Sequence, residues 1–428
     1  MSFRSHGFRS NPFSNKALPP DAAGEMLMVD REQEVNKLMR RIQESDNVPT
    51  LEGPNGVGKT SILNIALHRT FSQSKGSDIE PMFIPCRCSF QISKDKSNED
   101  FLDEIYLQVA LTLIEQSDIL RAPPGYVKAP IEKRIQEYIN APIIRSYTAT
   151  ILGHGGGVNA APNTGKGWEK VGFRAAIEGW LRLLFPSAEA GSVVCVIDNL
   201  ELLHSSKAAK EVIEALRDTA FSIAGLKWIL CGSSGVVRGV ASSPRLVGWL
   251  QKPINIRELR EDAGGEVYDK RIQAFRKNED AELPLTRTNF VTLFDIFNGN
   301  ARFALDEASA FCTWVFDQLE DVGEIPADAF ERWMTDELEA NYDDIFVYFG
   351  GNDREIFEKI CQLEIFIASD FNEVGLEDKA EFLKILVKFS DFGLITSSLD
   401  QDDPEDAVYE ISPKALKLQY FLASQSTD

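Results

Sequence analysis

Apolar residues along the chain follow two spacings. Short continuous runs occur at the segment ending in Leu51, at Met82-Phe83-Ile84, at Val193-Val194-Cys195-Val196-Ile197 and at Trp228-Ile229-Leu230-Cys231. Runs of this kind read as strands buried on both faces. Between them apolar positions recur at helical spacing: Val35, Leu38 and Ile42 within residues 31–45, then Ser61 to Arg69, Phe101 to Glu115 and a weaker stretch from Ile131 to Ile139. Strands alternating with helices predict a parallel α/β sheet covered on both faces. After a further strand at Ile254-Asn255-Ile256, the chain turns mostly helical, with helices around Arg271 to Phe275, Phe290 to Phe297, Ala301 to Leu319 and Ala329 to Phe346. The final part changes again. Ile356 to Leu363 reads as a helix, and Phe382, Ile385, Leu386 and Phe389 line one face of another. Asp391-Phe392-Gly393-Leu394-Ile395, an acidic turn from Asp400 to Asp406 and Val408-Tyr409-Glu410-Ile411 follow. Helices followed by a two-strand hairpin predict a winged-helix module, with Gly393 as the helix-ending glycine. Asp391-Phe392-Gly393 copies a kinase triplet, but no H-R-D-x-x-x-x-N loop accompanies it.

A length of 428 residues suits about three domains of roughly 150 residues. The pattern predicts a basic flexible tail over 1–24, an α/β base over 25–258 with a basic insert near 121–174, a helical lid over 259–325 and an acidic winged-helix domain over 326–428. The tail is rich in Ser, Asn and Pro and carries Arg4, Arg9 and Lys16 with no acid before Asp21. Within the insert, Gly153 to Gly167 reads as a flexible glycine-rich loop. No apolar run approaches the roughly 20 residues of a membrane span, and the N-terminus has no apolar signal core, so a cytoplasmic protein is expected. Cys86, Cys88, Cys195, Cys231, Cys312 and Cys361 form no C-x-x-C pair and show no metal-ligand spacing. Cys195 and Cys231 read as buried thiols in a reducing compartment. A net charge of −21 argues against a general nucleic-acid coat. The charge is uneven, however: residues 121–174 carry 8 Lys/Arg against 3 Asp/Glu, and residues 341–428 carry 19 acids against 7 bases. Basic segments of the tail and insert can therefore meet phosphate, whereas the acidic C-terminal part is suited to a protein contact.

One motif fixes the chemistry. Gly53-Pro54-Asn55-Gly56-Val57-Gly58-Lys59-Thr60 matches G-x-x-x-x-G-K-[ST] at every fixed position, between an apolar segment and a helical one. The glycines let backbone N–H groups wrap the phosphates of a nucleotide, Lys59 reaches the outer phosphates and Thr60 ligates Mg²⁺. Ser61 opens the helix whose positive end adds to the anion site. Thr164-Gly165-Lys166-Gly167 fails the same test, with Ala160 and Gly167 at two fixed positions. Asp198 ends an apolar strand and is the candidate second magnesium residue beside Thr60. Hydrolysis also needs a group that orients water. Asn199 directly follows Asp198, where many such ATPases have Glu, and the nearest acid is Glu201. Asn orients water but is a poor base, so the sequence predicts slow turnover. Ser233 or Ser234, at the end of the neighbouring strand, either contacts the γ-phosphate or its water or caps the next helix. These residues fall at strand carboxyl ends, where ligands of α/β sheets sit.

The order of these parts resembles the AAA+ ATPases of the initiator-like group, related to origin-recognition and archaeal-type ATPases, over most of residues 26–325. Val29-Asp30-Arg31-Glu32 resembles the family's V-G-R-E, with Asp30 in place of glycine, and this implies that Arg31 sits near the adenine. The resemblance makes Asp198 the Walker B aspartate and puts Ser233/Ser234 at sensor 1. It makes Arg302 of Asn298-Gly299-Asn300-Ala301-Arg302 the lid arginine that reaches the γ-phosphate. It also implies a homo-oligomer with an arginine finger, for which Arg245, after Ser242-Ser243-Pro244, is the first candidate and Arg238 the second.

The functional expectation is an ATP- and Mg²⁺-binding assembly switch that recruits protein partners in a DNA transaction or a defence pathway. The alternatives are a signalling ATPase of the STAND type and a nucleotide-bound scaffold without turnover or DNA binding.

Overall fold

The computed structural model describes residues 2–75, 81–92, 96–120, 143–147, 158–162, 170–203, 206–233, 236–322, 326–346, 348–350, 352–363, 365–398 and 407–425. The helix expected at 131–139 and the acidic turn at 400–406 lie outside these residues.

The base opens with α1 (Ala22–Leu27) and α2 (Glu32–Glu44), then β1 (Thr50–Glu52), α3 (Lys59–Lys75), β2 (Met82–Pro85) and α4 (Asn98–Glu115). It continues through β3 (Ile143–Tyr147), β4 (Val158–Pro162), α5 (Lys170–Leu184), β5 (Gly191–Ile197), α6 (Ser206–Arg217), β6 (Leu226–Gly232), α7 (Val236–Ala241) and β7 (Ile254–Asn255). Five strands form one parallel sheet in the order β2-β5-β6-β1-β7. All seven residues of β5 are buried, because helices cover both faces. Val193, Cys195, Ile197, Trp228 and Leu230 face the core made with α4, α5, α6 and α7. Val194, Val196, Ile229 and Cys231 face the core made with α2 and α3. The strand period of two thus sends alternate residues into two separate cores. Val158–Pro162, expected within a flexible loop, pairs antiparallel with Ile143–Tyr147. The glycines at 153–157 lie outside the described residues.

The lid consists of α8 (Ala263–Phe275), α9 (Arg287–Ile296) and α10 (Ala301–Val322), followed by α11 (Ala329–Phe346). The start of α11 belongs to the lid rather than to the winged helix: Phe330, Trp333, Met334 and Leu338 share a core with Phe290, Phe294 and Phe311. The winged helix comprises α12 (Asp353–Leu363), β8 (Ile365–Ile367), α13 (Lys379–Asp391), β9 (Ile395–Ser398), β10 (Val408–Ile411) and α14 (Pro413–Gln425). Its sheet runs β8-β10-β9, all antiparallel. Phe382, Ile385, Leu386 and Phe389 are buried as the pattern requires, and Gly393 ends α13 at φ 69°. Leu416 and Phe421 of α14 reach into the lid core, which ties the winged helix to the lid.

The N-terminal segment corrects the expectation of a flexible tail. Phe8 and Phe13 are buried, and Phe13 stacks on Tyr268 and Phe290. The buried Arg271 guanidinium donates to Pro12 O (2.8 Å) and Ser14 O (2.9 Å). Asn11 donates to Ser309 and Asn15 to Asp306, both on α10. The Leu18 amide donates to Ser61 Oγ, and Asn64 donates to Leu18 O. The segment is a strap that runs along the lid and down to α3. Three spaced aromatics, Phe3, Phe8 and Phe13, supply the apolar anchors that its polar composition conceals. No described helix is long and apolar enough to cross a membrane.

Candidate nucleotide site

A cavity of about 390 Å³ lies between base and lid, within the size range of small-molecule sites. Its floor is the turn from β1 into α3. Gly53 must be glycine because a Cβ there would stand 2.2 Å from Ile256 O of the adjacent segment. Gly56 and Gly58 take φ of 86° and 96°, a backbone region that side chains strain to enter. A Cβ on Gly58 would meet nothing within 4 Å, so the loop leaves open space over the start of α3. The buried Lys59 ammonium donates to Gly53 O (2.8 Å) and Pro54 O (2.9 Å), at the centre of the loop. Asn55, Gly56, Val57, Gly58, Lys59, Thr60 and Ser61 line the cavity. Gly53 and Pro54 do not line it and serve through their carbonyls. Ser61 also accepts the Leu18 amide of the strap.

Asp198 is carried to the same place by β5. It is buried, its Oδ2 accepts from Thr60 Oγ1 at 2.9 Å, and its Oδ1 accepts from the Asn199 amide at 2.9 Å. A hydroxyl and a carboxylate in contact beside an anion cradle form an all-oxygen donor set suited to Mg²⁺, so the residues present fit the metal. Asn199 lines the cavity at φ 59°, a left-handed conformation that Asn tolerates. Glu201 belongs to the short turn Leu200–Leu203; its side chain and the whole of Ser234 lie outside the described residues. Ser233, at the end of β6, is buried.

The lid closes the cavity. Asn298 and Gly299 adopt φ of 50° and 82° and turn the chain so that α10 starts over the loop. Asn300 donates to Asn55 O at 2.8 Å. Arg302 lines the cavity from the first turn of α10, and a Cβ on Gly56 would stand 3.2 Å from Arg302 Cβ. Arg31 lines the opposite side and donates to Val57 O (3.0 Å) and Arg257 O (2.5 Å). Burial lowers its guanidinium below the ordinary value, against the attraction of nearby Glu34 (3.8 Å), and its two carbonyl bonds brace the loop against the β7 segment. Asp30, in the motif's glycine position, takes φ 53°, a conformation glycine enters without strain. Its carboxylate accepts the Arg260 amide (2.9 Å) and Nε (2.8 Å), which offsets that strain.

Arg245 does not line this cavity. It is exposed and pairs with Glu214 (3.3 Å) of α6 and Asp218 (3.3 Å) just beyond it. Arg238 falls on α7, and its side chain lies outside the described residues. The sequence reading missed Asn15, Lys16, Ala17 and Leu18 of the strap, which form one wall of the cavity, and Asn300, which joins lid to loop. The phenylalanine spacing in 3–13 was the available signal for the strap.

No family model matches the chain, and no curated protein matches it. Solved structures do match over nearly its full length. The ORC2 protein of Aeropyrum pernix, in ADPNP–ADP complexes, is 10% identical, with coverage of 98% of this chain and 99% of that one and a TM-score of 0.46. The Aeropyrum pernix ORC1 protein in complex with DNA is 13% identical, with coverage of 98% and 99% and a TM-score of 0.46. A Walker-type ATPase of Pyrococcus abyssi is 13% identical, with coverage of 96% and 99% and a TM-score of 0.46. The chain is similar to these proteins in architecture.

Proposed function

We propose that this protein binds ATP with Mg²⁺ between base and lid, as an AAA+ ATPase of the initiator-like kind, and hydrolyses it slowly. Its bound state acts as a switch for assembly with further copies and with protein partners in a DNA transaction or a defence pathway. One observation carries the reading: Lys59 and Thr60 at the start of α3, Asp198 and Asn199 just after β5 and Arg302 of α10 gather at one cavity, with Asp198 joined to it through Thr60. Lys59 and the amides of Gly56 to Thr60 bind the phosphates. Mg²⁺, held by Thr60 and Asp198, would neutralise charge between the outer phosphates. Arg302 binds the terminal phosphate from the lid, so the lid angle follows the nucleotide state. Asn199 orients the attacking water and lacks the basicity to take its proton quickly. Arg31 and Asn300 hold the loop in shape. Arg245 is the group offered to a neighbouring copy.

A protein contact suits the winged helix. The outward face of α13 carries Ala380, Glu381, Lys384, Val387 and Asp391, a mixed and not a basic surface. The exposed cations Arg4 and Arg9 of the strap, away from the cavity that Lys16 lines, are the groups proposed for phosphate contact with DNA.

Titration of a fluorescent ATP analogue with and without Mg²⁺ tests the site, and no saturable binding overturns it. Steady-state hydrolysis by Glu201→Gln and Asn199→Ala assigns the water-orienting group; unchanged activity in Glu201→Gln removes Glu201. Light scattering with ATP, ADP and no nucleotide tests assembly, and one mass in all three conditions removes the switch. Absence of duplex DNA retention at low salt with ATP removes the DNA reading.

A further inference from the structure

Three of the six cysteines converge on β5, the strand that leads to Asp198. β2 and β5 pair in register, Ile84 with Val193 and Pro85 with Val194, and the Cys86 amide donates to Val194 O at 2.8 Å. Cys86 therefore stands beside Cys195. The two share a face: Met82, Ile84, Val193 and Cys195 belong to one core, and Cys86 and Cys88 pack against it. Neighbouring strands are about 4.8 Å apart, inside the roughly 4.4–6.8 Å that a disulfide spans between Cα atoms. Cys86 and Cys88 are partly exposed, Cys195 is buried, and all three are free thiols. Thr112 Oγ1 lies 3.5 Å from Cys86 Sγ and accepts the Arg87 amide.

The segment after β2 then returns to the site. Phe90 N donates to Val196 O at 2.7 Å, and Phe90 O accepts the Asp198 amide at 3.0 Å. The loop carrying Cys86 and Cys88 thus ends in the bond that holds the backbone of Asp198.

We propose that Cys86 and Cys195 form a disulfide on exposure to a low-molecular-weight disulfide of the glutathione type, and that this cross-link alters the setting of Asp198. The Cys86 thiolate attacks one sulfur of the small disulfide, forming a mixed disulfide and releasing one small thiolate. The sulfur of Cys195 then attacks Cys86 Sγ, the Cys86–Cys195 bond forms, and the second small thiolate leaves. The Cys195 proton passes to a departing thiolate. Two protein thiols are oxidised and one small disulfide is reduced to two thiols. Thiol donors Cys195 and Cys88 lower the Cys86 thiol, which suits Cys86 as the attacking group, whereas burial raises Cys195, which makes it the partner and not the entry point.

The effect on Asp198 rests on the nucleotide reading; the cross-link does not. The full chain is treated with glutathione disulfide, quenched with acid and analysed by counting free thiols and mapping peptides. The expected result is loss of two thiols and a Cys86–Cys195 linked peptide. This peptide should be absent from Cys86→Ser and retained in Cys361→Ser. Mg²⁺-dependent ATP-analogue affinity should fall about fivefold or more on oxidation and return with a thiol reductant. Cys86→Ser should keep its affinity through the same treatment. A glutathione adduct alone, a Cys86–Cys88 link or no thiol loss overturns the cross-link. A cross-link with unchanged affinity, in a chain that binds nucleotide, overturns the coupling to Asp198. Absence of binding in the reduced chain counts against the nucleotide site and leaves the thiol result standing.

Discussion

Thr60 Oγ1 donates to Asp198 Oδ2 at 2.9 Å across 138 residues of sequence. The bond spans two sheet positions, since β6 lies between β1 and β5. It fixes the first turn of α3 against the end of the strand that carries the acid. Asp198→Asn keeps a similar shape and loses the charge. It is expected to bind an ATP analogue within about twofold of wild type in chelator and to lose the gain that Mg²⁺ brings. Lys59→Ala removes the cation of the loop and is expected to weaken binding about 100-fold, roughly 3 kcal/mol for a charge-assisted contact. Isothermal titration in both conditions checks these two outcomes.

The lid rests on the loop through the Asn300–Asn55 bond. A methyl group at Gly56 would meet Asn300 Oδ1 at 2.6 Å, on a backbone with φ 86°. Gly56→Ala is therefore expected to push the lid away and to cost about 1–3 kcal/mol in stability. Faster amide exchange at the start of α10 is its measurable sign. Arg302→Ala leaves the loop intact, and it is expected to lower ATP affinity about tenfold with little change for ADP. Equal losses for both nucleotides would place Arg302 away from the terminal phosphate.

The strap makes a prediction that a flexible tail does not. Phe13→Ala empties a slot between Tyr268 and Phe290 and is expected to cost about 3–5 kcal/mol. Deleting residues 2–19 strips the buried Arg271 guanidinium of two carbonyl partners and removes one wall of the cavity. Both changes should lower the thermal midpoint and weaken nucleotide binding. A deletion with unchanged affinity would confine the strap to lid stability.

Burial pushes the thiols of Cys312 and Cys361 from the ordinary 9.0 up to about 12. Above pH 9 the unfolded chain loses these protons while the folded chain keeps them. The folded state then binds more protons, and stability falls as pH rises from about 9 to 12. Cys312→Ala and Cys361→Ala should each flatten that slope, measured as urea midpoints across the interval. Alkylation at pH 8 should reach Cys86, whose thiol is lowered by the thiol donors Cys195 and Cys88, and spare both buried thiols.

Much of this protein was legible in its sequence because the signals are local. The eight residues Gly53 to Thr60 need only their own backbone and the following helix to form the glycine-rich turn. Continuous apolar runs at 193–197 and 228–231 mark strands that are covered on both sides. The four apolar residues of α13 repeat at helical spacing, and Gly393 ends that helix where a left-handed residue is needed. Strand β8 escaped because it is three residues long and is completed by the β10 edge, and helix α14 because its apolar residues are split between two cores, Leu416 and Phe421 in that of the lid and Ala415, Leu418 and Leu422 in that of the winged helix.

The sequence by itself determined the loop, the strands and the chemical types of the groups that gather at the cavity. Only the tertiary structure decided that residues 3–18 are a strap, that Asn300 meets Asn55, and that Cys86 stands beside Cys195. Each of these depends on contacts between residues far apart in the chain. A polar segment with three phenylalanines stays flexible alone, because it cannot bury enough apolar area to offset its ordering entropy. It becomes a wall of the site once the lid supplies a slot for Phe13 and the buried Arg271 supplies donors for its carbonyls.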